Sequence, residues 1–136
     1  MRRGFRREID ALEEVFRFLE DFVDEAALDE GAAFTINLVV EELFTNMVRH
    51  NTGGGEFIDL GIERRGDVVH LELVDIDVDQ FDPTEAPKPA IAAEIENRRP
   101  GGLGLHIVET MVDTLEFDYE TESRRMRVSV TKLLEP

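Results

Sequence analysis

The sequence predicts an α+β sandwich, one mostly antiparallel sheet covered on one face by three helices. Three observations carry that expectation. The stretch 34–50, FTINLVVEELFTNMVRH, repeats apolar residues at helical spacing. Two pairs of alternating segments, 57–62 with 69–73 and 115–121 with 125–133, each close around a short polar turn. The elements also run in the order helix, helix, strand, strand, loop, helix, strand, strand. Hairpins alternating with helices in this way build an antiparallel sheet with its helices segregated to one side.

Residues 5–28 read as the first helix. Ile9, Leu12, Val15, Phe16, Leu19, Phe22 and Val23 form its apolar face, and acidic residues fill the other. Asp29, Glu30 and Gly31 interrupt the pattern and lead into the helix 34–50. There Ile36, Val39, Val40, Leu43, Phe44 and Met47 make a broad apolar stripe, and Asn51 followed by Thr and three glycines ends it. In the first hairpin Ile58, Leu60 and Ile62 alternate, Arg65, Gly66 and Asp67 turn, and Val69, Leu71 and Leu73 alternate back. That register points His70 to solvent, where it has no assigned role.

From 75 to 100 the apolar periodicity lapses and three prolines fall close together, so the segment reads as a long loop with one helical turn at 90–95. The third helix, 101–114, turns Leu105, Val108, Met111 and Val112 inward. The second hairpin closes around Glu122 and Ser123. One domain, 1–136, accommodates all of this, with a mobile lid at about 80–101.

Composition narrows the function. The formal net charge is −16, so a phosphate backbone or an anionic membrane would repel the chain, and neither is an expected partner. An anionic ligand would need backbone N–H groups, a cation or a positioned arginine. No apolar run reaches the length of a membrane span, and the opening MRRGFRREID lacks the apolar centre of a signal peptide. There is no cysteine, which excludes disulfides and thiolate metal sites and fits a cytoplasmic protein.

Two stretches carry chemistry. Glu42, Asn46 and His50 follow one another at i, i+4 and i+8, at about 100° per residue, along one border of the helical stripe. Such a line also occurs as a solvated shoulder beside a core face. A carboxylate and a carboxamide one turn apart can instead face a cation, a water or a phosphate together. Downstream, Arg98 and Arg99 precede Pro100, Gly101, Gly102, Leu103, Gly104, Leu105 and His106, where a helix begins. Glycines admit close approach of a ligand to the backbone, and the N–H groups of a helix start attract anions. The cluster lacks the Lys-Ser/Thr of a P-loop, and no βαβ unit surrounds it.

Together, EELFTNMVRH, the FDP at 81–83 and RRPGGLGLHIVETMVD resemble the GHKL, or histidine kinase-like, ATPases. Within them the chain is most similar to the bacterial anti-sigma regulatory factors with serine/threonine kinase activity, from the first helix to the last hairpin. The resemblance implies that ATP and Mg²⁺ bind, with Asn46 as the metal ligand. It implies that Glu42 is the general base, and that Gly101, Gly102 and Gly104 line the phosphates. Arg98 or Arg99 would reach the terminal phosphate. His50 would pack at the helix end or touch the lid, and His106 would lie in or near the core. The family usually begins with a short strand, whereas this sequence reads as helix almost from its start.

The family's Asp-x-Gly, where Asp takes the adenine amino group and Gly leaves room for the base, is replaced here by VDIDVDQFDP. Strand register puts Asp75 at the adenine position and Asp77 at the glycine, whereas counting back from Phe81 puts Ile76 and Val78 there. Strand register is the preferred reading. In a continued strand Asp75, Asp77 and Asp79 would share one side. Either the strand ends at Asp75 and the others swing to solvent, or a cation sits among them. DIDVD also opens like a calcium loop, but Gln80 and Ala86 stand where that loop needs Gly and Glu.

Two functions follow. One is an ATP-dependent kinase that holds a sigma factor and phosphorylates a small anti-sigma antagonist on serine or threonine, working as a homodimer. The other is a partner-switching module of the same fold with weak or lost nucleotide binding. The catalytic domain of a sensor histidine kinase fits less well, because no phospho-acceptor hairpin accompanies it.

Overall fold

The computed structural model describes residues 1–50, 55–78 and 102–135, with His50 and residues 102–104 described by backbone alone. The expected loop and lid, with Arg98, Arg99, Gly101 and the turn at 90–95, therefore lie outside the described residues, Asp75 to Val78 excepted. The elements are β1 (Arg2–Arg6), a 3-10 turn (Ile9–Ala11), α1 (Leu12–Glu25), α2 (Glu30–His50), β2 (Phe57–Arg65), β3 (Val68–Asp75), α3 (Gly102–Met111), β4 (Thr114–Glu120) and β5 (Arg125–Leu133). One five-stranded sheet runs in the order β1-β2-β3-β5-β4, and every neighbouring pair is antiparallel.

Alternation along the strands gives the sheet two unlike faces. Phe5, Leu60, Leu73 and Val128 point inward and are buried with the apolar stripes of the helices. Arg2, Asp59, Glu72 and Arg127 occupy the other face, where Arg2 pairs with Asp59 and Glu72, and Arg127 with Glu72. All six expected stripe residues of α2 are buried. At about 2 kcal/mol per large apolar side chain removed from water, that stripe is the main bond between helix layer and sheet.

The first helix departs from expectation. Residues 2–6 form a strand that pairs with β2, so the family's opening strand is present. Helix begins only at Leu12, which leaves Ile9 out of helical register in the preceding turn and exposed. Phe18 is buried instead, its ring meeting Phe5 of β1 edge to face with centroids 5.5 Å apart.

The break between α1 and α2 also lies earlier than expected. Ala27 adopts φ 55. The Leu28 N–H donates to the Val23 carbonyl (3.1 Å), and the Ala27 N–H to that of Asp24 (3.3 Å). This is a Schellman ending, completed by Arg64 Nη1 donating to the Ala26 carbonyl at 2.7 Å. Asp29 then caps α2, its Oδ1 accepting from the Ala32 N–H at 2.8 Å. Glu30 and Gly31 thus belong to the helix rather than to the break.

Candidate nucleotide site

The last three turns of α2 set the first part of the site. Asn46, on the stripe border, is only 5% exposed, although its neighbour Arg49 lies in solvent. Glu42, one turn earlier and half-buried, faces the same side. Burial pushes its carboxyl above the usual value, the neighbouring Glu41 charge adds to the rise, and Arg49 partly offsets it. A carboxylate so raised is a better proton acceptor than a solvated one.

Asp75 ends β3, the central strand of the sheet, paired with Ile58 on one side and Met126 on the other. Its side chain is 0% exposed, and Arg7 holds it. Arg7 Nη2 pairs with Asp75 Oδ2, while Nη1 donates to the Met47 carbonyl at 2.9 Å. One guanidinium therefore joins the end of β3 to the residue after Asn46. This role of Arg7 is not legible from sequence, because nothing local separates it from Arg2, Arg3 or Arg6 in the same run.

Past Asp75 the strand stops. Asp77 takes φ 58 and turns its carboxylate, 68% exposed, to Arg124 in the β4–β5 turn. Asp75 and Asp77 thus point to different partners, which answers the crowding expected of a continued strand. Among the described residues no group of three or more His, Cys, Asp or Glu could hold a metal ion. Asp79, Gln80 and Ala86 of the calcium-loop pattern lie outside the described residues.

Gly102 and Gly104 stand in the first turn of α3, which packs against α2. His106 does not lie in the core: it is exposed, as is Ile107 beside it, while Leu105 and Val108 face inward. The local run LGLHIV is apolar on both sides of the histidine, but only one side of the short helix meets α2. His70 is half-buried on the open sheet face.

The fold and these positions meet a known family. The chain belongs to the histidine kinase-like ATPase domain family, whose model matches residues 5–132. A serine/threonine-protein kinase, BtrW of Bordetella bronchiseptica, is 29% identical over 86 residues. That match spans 62% of this chain and 60% of the relative's length. No described helix is long and apolar enough to cross a membrane.

The nucleotide and Mg²⁺ that such a family implies are compatible with the residues present. Asn46 offers a hard oxygen donor, and Mg²⁺ is commonly held by one or two protein oxygens together with phosphates and waters. The N-terminal turn of α3 offers backbone N–H groups suited to an anion.

Proposed function

We propose that this chain is an anti-sigma regulatory factor that binds ATP with Mg²⁺ and phosphorylates a small antagonist protein on serine or threonine. The observation that carries the proposal is the pair on α2, a half-buried Glu42 with a raised carboxyl and a buried Asn46 one turn on. The 29% identity to a bacterial serine/threonine-protein kinase supports the reaction class.

In this reading Asn46 holds the metal through its carboxamide oxygen, and Asp75 accepts the amino group of the base. Gly101, Gly102 and Gly104 present N–H groups to the phosphates, and Arg98 or Arg99 adds positive charge at the terminal one. Bound ATP supplies the phosphoryl group, and Mg²⁺ neutralises its charge. Glu42 would take the proton from the serine or threonine hydroxyl as its oxygen bonds the γ-phosphorus and the bond to the leaving ADP breaks, and would release that proton to water before the next turnover. The partners are a sigma factor and the antagonist, gripped by a homodimer. The net charge of −16 suits a partner with basic patches, so that association weakens as salt rises.

A second reading is a partner-switching module with weak nucleotide binding. It is favoured by one observation: an aspartate, not a glycine, occupies position 77 in a left-handed conformation. Phosphate transfer from labelled ATP to the antagonist separates the two. Glu42→Gln is expected to keep ATP binding and lose transfer by about a hundredfold or more, the range for a general base. Transfer at the wild-type rate removes the role given to Glu42. Wild type that binds the antagonist without modifying it favours the second reading.

A further inference from the structure

Arg7 belongs to no motif, yet three bonds fix it beside the candidate site. Its backbone N–H donates to the Glu56 carbonyl at 2.9 Å, Nη1 donates to the Met47 carbonyl at 2.9 Å, and Nη2 pairs with Asp75 Oδ2. Its side chain is 11% exposed and that of Asp75 0%. Arg2, five residues earlier, instead lies half exposed on the open sheet face. Burial of a carboxylate is tolerated where a cation faces it, and an ionised carboxylate is purely a hydrogen-bond acceptor.

That acceptor-only character has a consequence for the ligand. A 6-amino purine presents an N–H donor to the carboxylate, whereas a 6-oxo purine presents a carbonyl lone pair. The first attracts and the second repels. The planar fork of Arg7 also fixes the carboxylate relative to α2, one residue beyond Asn46, so one cation relates the base acceptor to the metal ligand. A lysine ammonium is a point charge and cannot span both acceptors with the same planar geometry.

Resting on the nucleotide reading above, we propose that Arg7 is a positioning residue that sets base selectivity, holding Asp75 as an oriented acceptor for the exocyclic amino group of adenine. The test is calorimetric titration with ATP and with inosine triphosphate at fixed Mg²⁺, on wild type, Arg7→Gln and Arg7→Lys, each checked for folding by circular dichroism. Wild type is expected to prefer ATP by about tenfold or more, as a hydrogen bond to a charged group implies. In Arg7→Gln the preference should fall to within about twofold, with the loss mainly in ATP. A merely structural role for Arg7 would weaken both nucleotides alike. A folded Arg7→Gln that keeps the wild-type preference overturns the proposal. If Arg7→Gln does not fold, Arg7→Lys decides: a drop of about threefold or more supports the proposal, because the planar bridge is lost, and an unchanged preference overturns it. Wild type that binds ATP without preferring it overturns it too. Wild type that binds neither nucleotide removes the ATP reading, and this inference with it.

Discussion

Arg124 Nη1 donates to Asp77 Oδ1 at 2.9 Å, joining the β4–β5 turn to the chain just past β3. Both residues have left-handed backbones, φ 58 at Asp77 and 54 at Arg124. Two further bonds complete the clamp. The Val78 N–H donates to the Arg124 carbonyl (3.0 Å), and the Tyr119 hydroxyl donates to the Val78 carbonyl (2.7 Å). Asp77 therefore adopts a conformation that glycine takes freely and other residues take at some cost. A glycine at position 77 would take this backbone without that cost.

Asp77→Gly should accordingly be well tolerated. It removes an exposed ion pair worth about 0–1 kcal/mol and relieves about 1 kcal/mol of backbone strain. Unfolding free energy in urea should stay within about 1 kcal/mol of wild type. ATP affinity should rise, since the substitution removes a carboxylate and restores room for the base. Tight wild-type binding with no gain in the variant would show that position 77 does not limit the site.

Ala27→Gly should stabilise the protein. Ala27 is the left-handed residue of the Schellman ending of α1, at φ 55, and its side chain is exposed, so little packing is lost. Relief of the left-handed conformation is worth about 1 kcal/mol. The urea midpoint should rise with the slope unchanged. A lower midpoint would mean that the alanine methyl contributes packing that outweighs the strain.

Glu42 makes stability depend on pH in a definite direction. Its carboxyl is raised above the ordinary 4.5, by burial first and by Glu41 second. Between the two values the folded protein holds a proton that the unfolded chain has released, so stability falls as pH rises through that window and levels off above it. Glu42→Gln lacks this contribution. The unfolding free energy of wild type relative to Glu42→Gln should therefore decline as pH climbs from below 4.5, measured by urea titrations across pH. A pH-independent difference would contradict the shift.

Much of this was legible in the sequence where one residue pattern had one physical reading. Six apolar residues at helical spacing specified the buried face of α2, and alternation around Gly66 and around Glu122 and Ser123 specified both hairpins. β1 was not legible because it is an edge strand with one buried residue, Phe5, set among arginines. The same charge hid Arg7, whose burial depends on Asp75 and Met47, far away in sequence. His106 misled for the opposite reason: its apolar neighbours suggested a core position, but α3 is short and buries only one side.

If α2 presents a metal-nucleotide site through Asn46, a single titration reveals it. ATP is added to wild type and to Asn46→Ala at fixed Mg²⁺, and binding is followed by calorimetry. Saturable binding to wild type and a loss of about tenfold or more in the variant are expected, as removal of a metal ligand or its support typically costs. Equal affinity in the two proteins, or no binding to wild type, would contradict that site.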